Sequence, residues 1–248
     1  GMNATRAYTT KYFKKLTVGR VQTPTLAMLV ERAGQISNFQ REKYFNVELD
    51  CDGIPAVKPK IFDPDEAEQL RSRCHGNEAI VTAVKETEKK VKAPKLYDLT
   101  TLQREANRIY GMTAKQTLDT AQSLYEKKLI TYPRTDSQYL TEDMEQTARN
   151  VVRQIYEKYQ LTGPFDQPEQ PDVKKVMNNS KVTDHHAIIP TMELASSHLD
   201  ELKSWEEKIL FLIAVHTVMA MSKDHIYQET EIEVECQGEI VKAKGKTV

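Results

Sequence analysis

The sequence predicts a mixed α+β fold in which a helical region interrupts a strand-rich one. Apolar and polar residues alternate from Phe45 to Cys51, and a second one-sided alternation appears at 229–236. Such alternation is typical of a strand with one buried face, whereas apolar residues recur at helical spacing between 97 and 222. Two separated strand patterns with helices between them indicate a strand-rich domain built from two pieces.

Bulk composition restricts the function only loosely. The 248 residues are enough for a sizeable core and for more than one domain. The formal net charge is −1, so a nucleic-acid partner requires a local basic surface. Cys51, Cys74 and Cys236 lack metal-ligand spacing, and without a recognisable signal peptide they favour a cytoplasmic location. The longest apolar run, 209–221, is too short to span a bilayer, so no membrane partner is expected.

The first predicted helix follows the sequence Gly-Arg-Val-Gln within residues 1–40. Thr23 is a suitable cap for it, and Pro24 suits the first helical position. Arg20 and Gln22 stand beside this helix N-terminus, a grouping that suits contacts with phosphates and bases. The alternative is an ordinary loop with a solvated arginine.

Strand signals dominate the next segment. The strand at 45–51 is followed by a turn at Asp52-Gly53. A short helix is predicted at 63–70 and another strand at 79–85, with the charged residues 86–92 forming a solvated exit.

The helical region opens with two short helices. We expect Thr101 to cap the first, which ends at Gly111. Thr113 and Gln116 have the spacing of a capping box for the second, which runs to about Lys128. Two short helices followed by an extended piece outline a helix-turn-helix with a wing.

Three further segments complete the region. A third helix is predicted from about 141 to 159, and a proline-containing surface loop at 161–173. The helix predicted at 205–222 is apolar on nearly all sides, which indicates a buried position.

The most informative stretch is LITYPRTDS at residues 129–137. Tyr132 precedes Pro133, and a residue before proline is biased toward extended geometry. Arg134 then points to the same side as Tyr132, placing a phenol beside a permanent cation with small hydroxyls nearby. A phosphate group suits such a site. The plain alternative is a strand entering a turn, with Tyr132 half-buried and Arg134 solvated.

This stretch belongs to a longer pattern. LYEKKLITYPRTDS, preceded by TLQREANRIYGMTAKQTLDTAQ, resembles the active-site region of type IA DNA topoisomerases of the topoisomerase III branch. GRVQTPTL near the N-terminus and HHAIIPT at 185–191 resemble two more motifs of that family, in the expected order. The resemblance implies that Tyr132 is the nucleophile and that His185 approaches the scissile phosphate. Arg134 can stabilise the negative charge that develops at the phosphate, because a guanidinium is always charged and forked.

The histidine pair has a second interpretation. His185 and His186 follow Asp184, which could indicate a metal site. Adjacent side chains diverge, however, and no third ligand stands at a suitable spacing, so we predict no metal here. His186 sits where many members of the family have glutamate, so its role is open. The DNA contacts implied by the resemblance are Arg20, Gln22, Thr23, Thr135, Asp136, Ser137 and His186.

The resemblance also implies an architecture, that of the central region of a type IA enzyme. A helical, winged-helix-like (CAP-like) catalytic domain is inserted into a strand-rich arch. The implied divisions are 1–40 (part of the helical DNA-groove domain), 41–96 (first arch piece), 97–222 (helical domain with the tyrosine) and 223–248 (returning arch piece).

Type IA enzymes carry a metal-binding Toprim domain that nothing in this sequence matches. The resemblance therefore implies a central fragment, with Mg²⁺ bound by the missing Toprim domain and no cofactor in this chain. Its expected partners are single-stranded DNA and that domain, and the chain is expected to be monomeric and inactive alone in relaxation. Cleavage through a 5′-phosphotyrosine and resealing without ATP are the implied reaction.

Two other functional classes remain open from the residues. A winged-helix DNA-binding module without catalysis explains residues 98–137 but leaves GRVQTPTL and HHAIIPT unexplained. A structural or partner-docking fragment would have no DNA affinity. A denaturant-resistant protein–DNA adduct separates both from the enzyme.

Overall fold

A computed structural model describes residues 1–161 and 171–248, and it has the predicted α+β composition. The chain forms two compact units. The first unit comprises Gly1–Lys85 with Glu231–Lys244, and the second comprises Glu86–Thr230 with Gly245–Val248. The finer domain divisions drawn from the sequence stay a prediction.

The helices are α1 (Met2–Tyr12), α2 (Gln22–Ser37), α3 (Pro64–Cys74), α4 (Leu99–Tyr110), α5 (Ala114–Glu126), α6 (Glu145–Tyr159) and α7 (Ser204–Ala220). The strands are β1 (Phe45–Cys51), β2 (Ile54–Ile61), β3 (Ile80–Val91), β4 (His225–Cys236) and β5 (Glu239–Thr247). Short 3₁₀ helices occur at Glu142–Met144, Val173–Val176, Asn179–Lys181, Met192–Leu194 and Leu199–Glu201.

The strands form one sheet in the order β1-β2-β5-β4-β3. The two strand patterns recognised in the sequence therefore belong to one sheet, as predicted, and Val47 of β1 shares an apolar cluster with Cys236 of β4. The predicted turn at Asp52-Gly53 joins β1 to β2, and both residues have positive φ, 52° and 85°. Positive φ at both turn positions matches the right-handed twist of a two-residue hairpin.

Strand β3 is longer than its sequence pattern indicated. Residues 86–91, predicted to be a charged exit, continue the strand to Val91. Charges are tolerated because β3 lies at the sheet edge and most of its residues are exposed. Lys89 also pairs with Glu229 of neighbouring β4 at 3.7 Å, which compensates charge across the strands.

Two helix caps differ from prediction. The cap of α4 is Asp98, whose carboxylate accepts a 2.7 Å hydrogen bond from the Thr101 backbone, so Thr101 is its reciprocal partner. Helix α2 begins at Gln22, before Thr23, and the Thr23 hydroxyl accepts a hydrogen bond from the Gly19 backbone instead. Pro24 still fits there, because the first-turn N–H groups of a helix have no intrahelical acceptor.

The other helix signals in the second unit are confirmed. Helix α4 ends at Gly111 with φ 68°, and Thr113 and Gln116 form the predicted reciprocal box at the start of α5. The helix expected from 141 begins as a 3₁₀ turn and becomes α6. Helix α7 contributes many buried residues to the core.

One predicted feature is exposed in the structure, and another lies mostly outside the described residues. Helices α1 and α2 contain no buried residue, so the apolar side chains of Leu26, Leu29 and Val30 on α2 are exposed. The loop predicted at 161–173 falls mostly on residues 162–170, which lie outside the described residues. Over the described ranges, no helix is long and apolar enough to cross a membrane.

Candidate active site

Two motifs far apart in the sequence lie side by side in the second unit. After α5 the chain turns at Lys128, whose φ is 61°, and enters a short extended segment. Ile130 pairs antiparallel with Pro190, while the Thr131 backbone donates to the Ile189 carbonyl at 3.0 Å. The LITYPRTDS and HHAIIPT motifs are therefore joined by a short antiparallel bridge.

Thr131 strengthens this pairing with its side chain. Its hydroxyl donates to the Ala187 carbonyl at 2.9 Å and accepts from the Ile189 backbone at 3.0 Å. Sequence reasoning did not single out Thr131. The available signal was a lone hydroxyl residue at the end of an otherwise apolar run, directly before the tyrosine.

Tyr132 lies at the end of the pairing with its ring between two others. The ring centroids of Tyr132 and His185 are 4.3 Å apart, with the planes tilted by 46°. Tyr125 of α5 meets the Tyr132 ring edge-on at 5.4 Å. Tyr132 is half-buried and His185 is exposed, so the phenol is held by ring contacts at the surface.

The residues after Tyr132 alternate in burial. Pro133, Thr135 and Ser137 are buried, while Arg134 and Asp136 are exposed. This period of two agrees with the extended geometry predicted for the stretch. In the described part of the chain, the Arg134 guanidinium has no hydrogen bond or ion pair with protein groups. Its donors are therefore available to a ligand.

Thr135 and Ser137 use their hydroxyls inside the protein. The Thr135 hydroxyl donates to the His185 backbone carbonyl at 3.1 Å and accepts from the Ser137 backbone at 3.1 Å. The Ser137 hydroxyl donates to the Lys181 carbonyl at 2.9 Å. Both residues connect the tyrosine segment to the histidine segment, and their predicted contact with DNA stays a prediction.

The neighbouring histidines differ in environment. The His186 Nδ1 donates to the Ala187 carbonyl at 2.9 Å, because a carbonyl can only accept. The His185 side chain instead contacts the Tyr132 ring. Of these two histidines, only the exposed His185 has a ring contact with Tyr132.

No metal site is found among the described residues. No group of three or more His, Cys, Asp or Glu side chains there could hold a metal ion. Asp63 and Asp65 have the spacing of an Asp-x-Asp pair, but Asp63 caps α3 by accepting a hydrogen bond from the Asp65 backbone at 2.9 Å. Over the described ranges, the chain therefore offers no preformed site with three ligand side chains for Mg²⁺.

The third motif lies in the first unit. Arg20, Gln22 and Thr23 occur at the start of α2 and the turn before it, and all three are exposed. Their side chains are accessible for the predicted DNA contacts.

A family comparison decides the classification. The sequence model of a family described as DNA topoisomerase matches residues 1–248. The chain belongs to this family. Its assignment from the three motifs to the type IA enzymes of the bacterial topoisomerase III branch is confirmed.

Relatives and a solved structure agree with this family. The DNA topoisomerase 3 of Bacillus licheniformis is 40% identical over 263 residues, and that of Bacillus subtilis is 40% identical over 258. Each match covers 100% of this chain and 35% of the relative, so the chain spans about a third of the length of these topoisomerases. The full-length topoisomerase I from Thermotoga maritima has a TM-score of 0.70 at 28% identity, covering 94% of this chain and 39% of that one.

Proposed function

We propose that this chain carries the strand-cleaving tyrosine of a type IA DNA topoisomerase and that Tyr132 is the nucleophile. The observation that carries the proposal is the exposed His185 ring against the Tyr132 ring, with the unpaired Arg134 two residues further on. A phenol, an imidazole and a guanidinium at one surface provide a nucleophile, a hydrogen-bonding group and a permanent cation for a phosphodiester.

The proposed step exchanges one phosphate ester for another. The Tyr132 phenolic oxygen attacks phosphorus, the bond from phosphorus to the 3′-oxygen breaks, and the 5′-phosphate becomes attached to the tyrosine. The phenol loses its proton to a base or to water, and the 3′-oxygen leaves with a proton as a hydroxyl. Because the ester bond is conserved, the reverse attack reseals the strand without ATP after another strand has passed.

Arg134 is proposed to lower the barrier. A tyrosine phenol ordinarily has a pKa of about 10, so its attack at neutral pH requires a base or stabilising cations. A guanidinium remains charged and offers forked donors to phosphate oxygens, where negative charge accumulates during attack. His185 is proposed to hydrogen-bond another phosphate oxygen while its ring packs against Tyr132.

Thr131, Thr135 and Ser137 are proposed as positioning residues. Their hydroxyls bond backbone groups of the histidine segment and its neighbour Lys181, which fixes the distance between the two motifs. Orientation of this kind contributes to catalysis because small displacements of reacting groups raise the barrier. The remaining proposed DNA contacts are Arg20, Gln22, Thr23, Asp136 and His186.

Other parts of the reaction are proposed to lie outside the described residues. We assign Mg²⁺ and its acidic ligands to a Toprim domain, and the proposed step uses no metal held by this chain. We also propose the winged-helix and arch description for the two units, a monomer acting on single-stranded DNA, and a cytoplasmic location. The three free cysteines are compatible with a reducing compartment.

The test is covalent capture. Residues 1–248 replace the matching segment of the Bacillus subtilis relative, giving a polypeptide of the relative's length, which we call the extended polypeptide. It is incubated with end-labelled single-stranded DNA and denatured in detergent. We expect a labelled adduct at phosphotyrosine, lost in Tyr132→Phe while DNA binding is kept, because only the phenol oxygen is removed.

Tyr125→Phe is the matched control. It removes a neighbouring phenol oxygen and leaves the ring contact with Tyr132 in place. We expect its adduct yield to match the unsubstituted polypeptide. An undiminished adduct in Tyr132→Phe would refute the assignment of the nucleophile, and DNA binding without any adduct would favour a binding module.

A further inference from the structure

Basic side chains surround Tyr139, which follows Tyr132 by seven residues in the sequence. The ammonium group of Lys181 lies 5.0 Å from the centre of the Tyr139 ring, and that of Lys95 lies 5.5 Å from it. Tyr139 also lines a cavity of about 410 Å³ in the second unit. The cavity residues include Lys92, Lys95, Gln138, Tyr139, Lys175 and Asp224.

The positive charge here is not neutralised by protein. In the described ranges, neither Lys95 nor Lys181 forms an ion pair with a carboxylate. Asp224 is the acidic residue of the cavity wall, and it is already paired with Lys175 at 3.0 Å and Lys90 at 3.2 Å. The cavity therefore has excess positive charge in a chain whose net charge is −1.

The neighbouring cations lower the pKa of the Tyr139 phenol. Burial raises its pKa, but the hydrogen bonds and charges of Lys95 and Lys181 outweigh burial and hold the pKa below the ordinary tyrosine value. Two ammonium groups and a phenol thus converge on one place. Three such donors complement a group with several negatively charged oxygens.

Backbone hydrogen bonds connect this cavity to the candidate active site. The Tyr139 carbonyl accepts from the Ala187 backbone at 2.9 Å, next to the histidine pair. Ser137 donates to the Lys181 carbonyl at 2.9 Å and accepts from the Tyr139 backbone at 3.2 Å. The backbones of Tyr139 and Lys181 are therefore hydrogen-bonded to the segments that carry Tyr132 and His185.

We propose that Lys95, Lys181 and Tyr139 bind a backbone phosphate of the same DNA strand that Tyr132 attacks. The proposal rests on the function proposed above and adds a second contact to it. Seven residues of extended chain span roughly 24 Å at most. The two contacts are therefore close enough to be reached by one short strand. Holding the strand at two points orients the scissile phosphate.

The test measures binding by the 248-residue chain in the Tyr132→Phe background, where no cleavage intervenes. The probe is a fluorescein-labelled oligodeoxythymidylate of about 12 nucleotides, followed by anisotropy across a salt series. For the Lys95→Gln/Lys181→Gln pair we expect about tenfold weaker binding at low salt, from losing charge-assisted hydrogen bonds. The slope of log affinity against log salt should fall by about 0.7, the value for one phosphate contact on a single strand.

Lys115→Gln is the matched control for the single substitutions. It removes the same charge from an exposed lysine of α5 that already pairs with Asp119 at 3.3 Å. We expect its affinity to stay within about twofold of the parent, whereas Lys95→Gln and Lys181→Gln each weaken binding further. Affinities and slopes equal to those of Lys115→Gln would overturn the proposal.

A titration with inorganic pyrophosphate separates a strand site from a site for free anions. Loss of pyrophosphate binding in the glutamine pair, with oligonucleotide affinity kept, would overturn the assignment to a DNA strand. If the Lys95→Gln/Lys181→Gln variant does not fold, a measurement without substitution replaces it. The lysines are methylated with ¹³C-formaldehyde and observed by NMR. We expect the Lys95 and Lys181 signals to shift with oligonucleotide, and unshifted signals or no binding would overturn the proposal.

The outcomes also distinguish this site from the proposed chemistry. Weaker binding in the glutamine pair supports the second phosphate site even where the extended polypeptide forms no adduct with Tyr132. An adduct in the extended polypeptide, together with unchanged binding by the pair, would refute the site and leave the nucleophile in place.

Discussion

The Thr135 hydroxyl donates a hydrogen bond to the His185 backbone carbonyl, with 3.1 Å between the oxygens. The Thr135 side of this bond is buried, with 7% of the residue exposed. It links the segment that carries Tyr132 to the residue whose ring packs on Tyr132. Fifty residues separate its two ends in the chain. The bond makes Thr135 a positioning residue for the proposed reaction.

Thr135→Val should therefore slow cleavage more than it weakens DNA binding. Valine keeps the shape but removes the bond to the His185 carbonyl and leaves the buried Ser137 N–H without this acceptor, and the unpaired buried group costs about 1–3 kcal/mol. We expect single-turnover adduct formation in the extended polypeptide to fall about tenfold, with affinity for single-stranded DNA nearly unchanged.

Thr135→Ser is the control for this prediction. It retains the hydroxyl and should restore most of the cleavage rate, whereas a role of the methyl group alone would leave valine fast and make serine slow. Equal rates for the parent and the valine variant would refute the positioning role.

Arg134→Ala should reduce the rate of cleavage strongly. The guanidinium is exposed and unpaired among the described residues, so alanine disrupts no internal contact. Removing one preorganised donor to a developing oxyanion costs about 10²–10³ in rate. Rapid-quench measurements of adduct formation in the extended polypeptide check this value.

Arg134→Lys is the matched variant, since it keeps the charge but loses the planar fork. We expect it to recover only part of the rate, because a point charge replaces bidentate recognition. Single-turnover cleavage that is unchanged in the alanine variant would remove Arg134 from the mechanism.

Glu206 should make the stability of the second unit depend on acid pH. Burial raises the pKa of its carboxyl, but hydrogen bonds from Lys127, Ser123 and the Lys203 backbone outweigh burial and lower the pKa to about 2. Because the folded pKa lies below the unfolded one, the carboxylate stabilises the fold above about pH 4.5. This stabilisation, roughly 3 kcal/mol at most, is lost as pH falls toward 2.

Glu206→Gln should accordingly lower the free energy of unfolding at pH 7 by about 2 kcal/mol, and the difference should shrink toward pH 2. Urea unfolding followed by circular dichroism measures both values. Glu207→Gln, an exposed neighbour on α7, should change stability by less than about 0.5 kcal/mol. A Glu206→Gln difference that is independent of pH would contradict the assigned ionisation.

The 248-residue chain alone should leave negatively supercoiled plasmid unchanged in the presence of Mg²⁺. Its described residues hold no cluster that fits a metal ion, and resealing requires a general base and a means of holding the DNA ends in line. Gel electrophoresis of the plasmid after incubation is the measurement. The extended polypeptide is the positive control, and robust relaxation by the isolated chain would place the acid and base groups within it.

Local signals in the sequence were sufficient for several parts of the fold. The Thr113–Gln116 box and the left-handed residue Gly111 were predicted correctly, since capping involves residues three or four positions apart. The Asp52-Gly53 turn was also predicted, because only a few residue types accept positive φ at adjacent positions. The family motifs also grouped Tyr132 with His185, and their rings are in contact in the structure.

The contacts between distant segments were decided by tertiary structure. Nothing in the local pattern indicated that Thr135 bonds the His185 carbonyl or that Lys95 and Lys181 meet at Tyr139. Likewise, β3 extends through charged residues because a neighbouring strand supplies Glu229. Propensity and spacing describe interactions within a few residues, whereas these contacts form only when packing brings separate segments together and repays the entropy of closing the intervening chain.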